Sequence, residues 1–207
     1  MKIILASASP RRREILAGFG LKFDVVTADV DENVSAEGKT PPMIVEEISR
    51  RKALAVYERI CQGQPAVGGA VESPSEDTLI IAADTVVCSE GEILGKPHSR
   101  ADAKRMLEGY SGKTHSVISA VTTVRFNGAD APKIHSFHDI SYVTFKKMTD
   151  KEIEYYLDTD EPYDKAGAYA VQGFASLFIE RIEGSFYNIV GLPVQKLYEA
   201  CGGIELF

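Results

Sequence analysis

The chain has 207 residues, 44% of them apolar and 26% charged, with a formal net charge of −7 at neutral pH. This length and apolar content suffice for one folded domain or for two lobes around a cleft, and the negative total disfavours broad electrostatic binding of nucleic acid. The N-terminus has only a short apolar run without a small-residue cleavage site, so neither a secretory signal nor a membrane span is expected, and the cytoplasm is the predicted location.

The first part of the chain is predicted to alternate strands and helices. Hydrophobic patterning indicates a strand KIILA, a short helix PRRREILAGFG closed by Gly20, and a second strand KFDVVTA. An acidic loop, DVDENVSAEGKT, then leads to the longest helix, PPMIVEEISRRKALAVYERI. The stretch QGQPAVGGAVESPSED, residues 62–77, is rich in Gly, Pro, Ser and acidic residues, which is typical of a mobile surface loop.

The second part begins with a continuous strand, TLIIAADTVV, followed by a turn and reverse strand EGEILGKP and a helix RADAKRMLEGYSG. Two long antiparallel strands, HSVISAVTTVRF and KIHSFHDISYVTFKKM, flank the turn NGAD. Thr149 and Glu152 predict a capping box for the helix TDKEIEYYLDT, and a strand SLFIERI and a helix VQKLYEA follow. Strands and helices alternate without internal repeats, which predicts an α/β or mixed α+β fold.

The start of the first helix has an unusual charge pattern. Ser9 is a plausible N-cap and Pro10 occupies the first helical position, but the next three residues are Arg11, Arg12 and Arg13. The helix dipole already places positive charge there, so each exposed cation costs on the order of 0.3–1 kcal/mol. Backbone amides beside guanidinium groups favour a bound phosphate, although a solvated basic turn stays open as the alternative.

Asp84 interrupts the otherwise apolar strand TLIIAADTVVC. Because a buried, unpaired carboxylate is costly, Asp84 must be paired, bound to a metal or placed at a strand break facing a cleft. An Asp that bonds only a neighbouring turn or arginine is the structural alternative.

Further acids and lysines complete a candidate phosphate site. The segment DVDEN supplies Asp29, Asp31 and Glu32, and Mg²⁺ is usually held by one or two carboxylates together with substrate phosphates. The lysines of interest, each by itself an ordinary surface charge, are Lys52, Lys96 and Lys165. Together these residues fit one reaction, in which a water held by a metal and activated by a carboxylate attacks a phosphate chain neutralised by Arg and Lys.

Other suggestive patterns are weaker. The segment YSGKTHS contains GKT, but Leu107 stands where a phosphate-binding P-loop needs glycine. His135 and His138 are three residues apart in a predicted strand and therefore point to opposite faces, which disfavours a metal site. The cysteines are far apart without a C-x-x-C pair, so unpaired thiols are expected at Cys61, Cys88 and Cys201.

Seven blocks along the chain carry a family resemblance: LASASPRR, DVDEN, SRRKA, AADT, LGKP, DKAGAYAVQG and GSFYNIVGLP. In unbroken order over nearly the whole chain, they resemble the Maf (septum formation protein) family of nucleoside triphosphate pyrophosphatases. The resemblance implies a single Maf-like domain over residues 1–207, with an elongated mixed sheet flanked by helices and two lobes around a cleft. The fold is expected to be related to that of inosine triphosphate pyrophosphatases, and a homodimer is also implied.

The resemblance also implies roles for individual residues. Asp84 matches the proton acceptor that activates water, and the other matching active-site positions are Ser7, Arg12, Glu32, Lys52 and Lys96. Lys165 belongs to the expected substrate-binding set, and Glu32 and Asp84 are the expected ligands of Mg²⁺ or Mn²⁺. The positions that separate substrate subgroups are Arg11, Thr85 and Gln172, the set expected of dTTP/UTP pyrophosphatases.

The activity implied is hydrolysis of a pyrimidine nucleoside triphosphate to the monophosphate and pyrophosphate, without nucleic-acid or membrane partners. Two alternatives stay open. One is a pyrophosphatase for purine or methylated purine triphosphates, and the other is a non-catalytic regulator of septum formation that binds phosphate or nucleic acid.

Overall fold

The structure is a computed structural model that describes residues 1–63, 77–128 and 131–205. The predicted loop at 62–77 lies, from residue 64 to residue 76, outside this range. The strands are β1 (Lys2–Leu5), β2 (Asp24–Val25), β3 (Thr78–Ser89), β4 (Glu92–Leu94), β5 (Thr114–Phe126), β6 (Lys133–Phe145) and β7 (Ile179–Glu183). The α-helices are α1 (Pro10–Gly18), α2 (Pro41–Cys61), α3 (Arg100–Tyr110), α4 (Asp150–Leu157), α5 (Phe186–Val190) and α6 (Val194–Ala200).

The strands form one mixed sheet of seven strands in the order β2-β1-β3-β5-β6-β7, with β4 paired to β3. β1 runs parallel to both β2 and β3, whereas β4 is antiparallel to β3 and β7 is antiparallel to β6. Together with the helices, this mixed sheet confirms the predicted α/β fold class. Short 3-10 turns follow α4, at Glu161–Asp164, Ala166–Ala168 and Phe174–Phe178.

The chain divides into two compact units. Unit 1 comprises Met1–Asp84, Ala120–His138 and Gly191–Phe207, and unit 2 comprises Thr85–Ser119 and Asp139–Val190. Each unit has its own apolar core. The unit 1 core joins β1, α2, β3 and β5 through Ile4, Ala53, Val56, Ile80 and Phe126.

The core of unit 2 is built around aromatic rings. Tyr110 of α3, Phe145 of β6 and Tyr156 of α4 are fully buried, and Tyr169 and His115 pack beside them. Burial lowers the pKa of His115 to about 4, and its Nε2 lies 2.8 Å from the Tyr169 hydroxyl. This histidine is therefore part of the core.

The helix boundaries follow their capping chemistry. Thr149 and Glu152 form the predicted capping box of α4, and the Ser99 side chain caps α3 by accepting from the Asp102 amide at 3.1 Å. α2 begins with Pro41 and Pro42, which have no backbone N–H groups to leave unsatisfied.

Some expectations from the sequence are wrong in detail. The segment KFDVVTA forms only the two-residue strand β2, and SLFIERI becomes strand only from Ile179, because Phe174–Phe178 form a 3-10 turn. Ser9 is the N-cap residue of α1, but its side chain makes no capping hydrogen bond. Local patterning does not register these differences, since they depend on pairing with distant segments.

In the part of the chain that the structure describes, no helix is long and apolar enough to cross a membrane.

Candidate active site

Three predicted site residues meet in unit 1. The Lys52 ammonium lies 2.8 Å from Asp84 Oδ1 and 2.8 Å from Glu32 Oε1. The Asp84 side chain is 13% exposed, whereas that of Glu32 is 61% exposed. Asp84 is therefore a paired carboxylate at the end of a buried run, and Lys52 links it to a second acid near the surface.

The position of Lys52 follows from the packing of α2. One face of this helix, including Ala53 and Val56, is buried in the unit 1 core. Ser49, also fully buried, lies 2.8 Å from the Thr122 hydroxyl of β5 and donates to the Glu46 carbonyl. Because Ser49 precedes Lys52 by nearly one helical turn, this anchor fixes where the lysine leaves the helix.

Glu32 is placed by its neighbours in the acidic loop. Asp31 Oδ1 accepts hydrogen bonds from both the backbone and side-chain amides of Asn33, which lower the pKa of Asp31. Arg51 Nη1 donates to the carbonyl oxygens of Asp31 and Asn33 at 3.0 and 3.1 Å. The two residues that flank Glu32 are therefore tied to α2, beside Lys52.

Arg12 is the buried member of the arginine cluster. Its Nε donates to the Gly191 carbonyl at 2.9 Å, and its Nη1 donates to Ser7 Oγ at 3.1 Å. Ser7 Oγ also accepts from the Ser9 amide. The guanidinium is thus oriented by two groups at fixed positions, whereas Arg13 on the next position is exposed.

The charges of Asp84 and Glu32 affect the pKa of Arg12. Burial lowers the pKa of Arg12, the charges of Asp84 and Glu32 raise it, and the neighbouring charge of Arg11 lowers it. Arg11 is half-buried. Positive and negative charges of unit 1 therefore lie close enough to influence one another.

In unit 2, two predicted lysines lie close in sequence to glycines whose backbones bond to each other. Lys96 comes directly after Gly95, and Gly167 comes two residues after Lys165. The Gly95 carbonyl accepts a hydrogen bond from the Gly167 amide at 2.9 Å. A Cβ at Gly167 would lie 2.6 Å from Val87 and 2.8 Å from the Tyr110 hydroxyl, so only glycine allows this approach. Lys96 is exposed, and Lys165 is half-buried and paired with Asp164.

Thr85 belongs to a buried hydrogen-bond network of unit 2. Its hydroxyl lies 2.8 Å from Ser119 Oγ, and Ser119 Oγ donates to the Asn188 carbonyl at 2.7 Å. Because Ser119 has one hydroxyl proton, Thr85 must be the donor in its contact with Ser119. Asn188 is fully buried, and its side chain bonds Ser119, Val117 and Ser141.

Gln172 is exposed, in a turn of unit 2 closed by the Gly173 amide, which donates to the Ala170 carbonyl at 3.1 Å.

The remaining motifs have structural explanations. Lys113 of the GKT segment pairs with Glu90, and His138 Nδ1 lies 2.7 Å from Glu46 Oε1. Among the described residues, no group of three or more His, Cys, Asp or Glu side chains is placed to hold a metal. Cys61, Cys88 and Cys201 are free thiols, as expected.

The model of the family described as Maf-like protein matches residues 2–203. The chain belongs to the Maf family. Curated Maf relatives include a "dTTP/UTP pyrophosphatase" of Caldicellulosiruptor saccharolyticus, 44% identical over 95% of this chain and 91% of that protein. Proteins of the same name from Desulforamulus reducens and Aquifex aeolicus are 42% and 40% identical, and each alignment covers at least 99% of this chain and 97% of the relative.

Among solved structures, a "Nucleoside-triphosphatase / dITP/XTP pyrophosphatase" from Mycobacterium abscessus is 13% identical, with a TM-score of 0.40, over 100% of this Maf chain and 96% of that chain. A likeness of this degree supports no statement about function.

Sequence reasoning missed several residues of this Maf chain that support the predicted site. Arg51 holds the Glu32 loop, and Ser119 and Asn188 hold Thr85. Arg51 lies within the block SRRKA and Asn188 within the block GSFYNIVGLP. Their place in these family-like blocks could have indicated a role near the site. Ser119 had no such signal, because a serine in a strand is ordinary.

Proposed function

We propose that the chain hydrolyses the pyrimidine nucleoside triphosphates dTTP and UTP to the monophosphate and pyrophosphate, and thereby removes surplus or non-standard nucleotides. The observation that carries the proposal is the position of Lys52, 2.8 Å from both Asp84 and Glu32. The Maf relatives named dTTP/UTP pyrophosphatases support the substrate class. Cleavage of a phosphoanhydride needs a proton acceptor and nearby cations, and unit 1 supplies both.

Asp84 is the proposed general base. Lys52 contacts its Oδ1 and so orients the carboxylate, while the partial exposure of the side chain permits access of water. The proposed step is transfer of a proton from the attacking water to Asp84 as the new bond to the α-phosphorus forms. The bond between the α-phosphorus and the oxygen that bridges it to the β-phosphorus breaks, so pyrophosphate is the leaving group.

The carboxylates around Lys52 also fit a divalent cation. Glu32 and Asp84 each place one oxygen 2.8 Å from the Lys52 ammonium, which leaves the second oxygen of each carboxylate for a cation, and Mg²⁺ is commonly bound by one or two carboxylates plus substrate phosphates. We therefore propose Glu32 and Asp84 as the residues that hold Mg²⁺ or Mn²⁺, which when bound neutralises phosphate charge and lowers the pKa of a coordinated water. Lys52 has three N–H donors, so two carboxylate contacts leave one for a phosphate oxygen.

The phosphate chain is proposed to bind at the start of α1. Arg12 is oriented by Gly191 and Ser7, so its guanidinium presents a fixed set of donors, and Arg11 adds a second positive charge. Lys96 and Lys165 are proposed as further substrate-binding residues, as the family resemblance implies.

Base recognition is proposed to rest on Gln172, Thr85 and Arg11. The amide of Gln172 offers both a donor and an acceptor, which suits the imide edge of uracil or thymine. The Thr85 proton is directed to Ser119, so the Thr85 oxygen would meet a base as an acceptor. An acceptor favours the imide N–H of uracil or thymine over the bare ring nitrogen of cytosine.

The test is an assay of the purified protein with a panel of nucleoside triphosphates and Mg²⁺ or Mn²⁺, in which pyrophosphate and orthophosphate are measured separately. We expect pyrophosphate from dTTP and UTP, and loss of the activity when a chelator is added. Release from purine nucleotides alone would overturn the proposed roles of Arg11 and Gln172. No pyrophosphate from any nucleotide would overturn the proposed function and favour phosphate binding without cleavage.

The homodimer and the lack of nucleic-acid partners stay predictions that can be tested on the same purified protein, and the cytoplasmic location stays a prediction that is tested by fractionation of cells.

A further inference from the structure

The turn that carries Gln172 is continued by a segment whose backbone amides point at one carboxylate. Glu161 Oε2 accepts from the Phe174 amide at 2.9 Å, and Glu161 Oε1 accepts from the Ala175 amide at 3.2 Å. These are the first amides of the 3-10 turn Phe174–Phe178, which begins directly after Gly173. Hydrogen bonds to an ionised acceptor are about twice as strong as neutral ones, so Glu161 fixes this backbone firmly.

The carboxylate of Glu161 is itself held from the other side. The hydroxyl of Tyr156 donates to Glu161 Oε1 at 2.8 Å, and the Tyr156 ring is fully buried in the unit 2 core. Burial raises the pKa of Tyr156 above its usual range, so the hydroxyl keeps its proton and remains a donor. Because the buried Tyr156 ring is held by the core, this hydrogen bond also fixes the position of the Glu161 carboxylate.

Gly173 shows how closely Glu161 approaches the turn. A Cβ at this position would lie 1.9 Å from Glu161 Oε2 and 2.5 Å from its Cδ. The φ of Gly173 is −109°, which other residues also adopt, so glycine is required here for space. The carboxylate packs directly on the backbone that follows Gln172.

We infer that Glu161 is a positioning residue for base selectivity, because it holds the backbone from Gly173 to Ala175 and thereby sets where Gln172 presents its amide. The inference rests on the proposed function, in which Gln172 contacts the base. Glu161 does not itself touch the substrate. A displacement of a recognition group by a fraction of an ångström weakens its hydrogen bonds to the correct base and leaves other contacts intact.

The experiment is a double-mutant cycle of Glu161→Gln and Gln172→Ala, with selectivity measured as kcat/KM for UTP divided by kcat/KM for CTP. Glu161→Gln places an NH₂ group where a backbone amide now donates, so we expect a loss of selectivity of about tenfold, mainly through KM for UTP. In the Gln172→Ala background, Glu161→Gln should cause no further loss of selectivity, since its effect passes through Gln172.

Two further variants separate positioning from general stability. Tyr156→Phe removes one donor to Glu161 but keeps the ring and both backbone bonds, so a smaller loss of selectivity in the same direction is expected. Glu154→Gln is the matched control, because Glu154 pairs with Lys104 and Arg100 of α3. We expect it to leave the UTP/CTP ratio unchanged.

A second readout does not require activity. Hydrogen exchange of the Phe174 and Ala175 amides should become faster in Glu161→Gln than in wild type, whereas exchange across α3 should not change. Glu161→Asp, which keeps the charge, should restore part of the protection.

The outcomes distinguish this inference from the proposed function. If the wild type releases no pyrophosphate from any nucleoside triphosphate, the proposed function fails and the role in selectivity fails with it. If the wild type is active but Glu161→Gln keeps its UTP/CTP ratio, or loses selectivity equally in the presence and absence of Gln172, only the positioning role is overturned.

Discussion

The starts of helices α1 and α4 differ in what they offer to the first backbone amides and to the positive end of the helix dipole. At α4, the Thr149 amide and hydroxyl donate to Glu152 Oε2, the Glu152 amide donates back to Thr149, and Asp150 adds a second acid to the first turn. At α1, the first turn contains no acid, the N-cap side chain makes no capping bond, and Arg11 and Arg12 follow Pro10.

The difference separates a helix start that is satisfied within the protein from one that we propose to bind the substrate. The cap of α4 is complete within the protein and satisfies both the amides and the dipole. The cations of α1 oppose the dipole, so they do not stabilise the helix and are better explained by an anionic ligand. If this interpretation is correct, substitutions around α1 should affect turnover, and substitutions at the α4 cap should affect stability.

The largest effect is expected at Asp84, one of the two acids whose charges raise the pKa of Arg12. Asp84→Asn should lower kcat by roughly a thousandfold, because the amide is a far weaker proton acceptor than the carboxylate. Pyrophosphate release from UTP is the measurement. The fold should survive, since Glu32 still neutralises Lys52. As a control, Asp158→Asn changes an exposed acid paired with Arg100 and should keep wild-type activity. Retention of most activity by Asp84→Asn would show that another group is the base.

The next effect is expected at the arginine cluster itself. Arg12→Lys should lower kcat/KM by about a hundredfold, because an ammonium cannot reproduce the planar set of donors oriented by Gly191 and Ser7. The matched control is Arg13→Lys on the same helical turn, whose side chain is exposed. Wild-type activity in Arg12→Lys would mean that positive charge alone suffices, and equal losses in the two variants would mean that the specific orientation of Arg12 does not matter.

At α4, we expect substitution of the cap to lower stability and to leave activity unchanged. Thr149→Ala removes the capping hydroxyl and should lower the free energy of unfolding by about 1 kcal/mol. Urea denaturation measures this change, and kcat/KM for UTP in the folded variant should equal that of wild type. A decrease in activity comparable with that of Arg12→Lys would contradict the contrast between the two helix starts.

The smallest effect concerns the pH dependence of the α4 cap. The hydrogen bond from Lys146 and those from Thr149 lower the pKa of Glu152 from 4.5 to about 2. Because the native state favours the ionised form, this contribution to stability is complete above pH 4.5 and is lost as the pH falls toward 2. Wild type and Glu152→Gln should therefore differ in stability at pH 6 and converge near pH 2. A difference that stays constant over this range would show that the Glu152 charge is not involved.

Much of the molecule follows from local sequence. Periodicity identified the long helix α2 and the buried strand β3, and the spacing of Thr149 and Glu152 identified the cap of α4. The anomalous Asp84 and the arginines of α1 were visible because each violates a local rule of burial or charge. Such features are encoded within a few residues, so the sequence by itself determined them.

Only the tertiary structure decided which of these groups meet. Lys52 of α2 contacts both Asp84 at the middle of β3 and Glu32 in a loop, and this depends on the parallel pairing of β1 with β3 and on the burial of one face of α2. Arg12 takes its orientation from the carbonyl of Gly191, 179 residues away along the chain. Local patterns state which groups are unsatisfied, whereas the packing of distant segments selects their partners, because that selection depends on the free energy of the whole core.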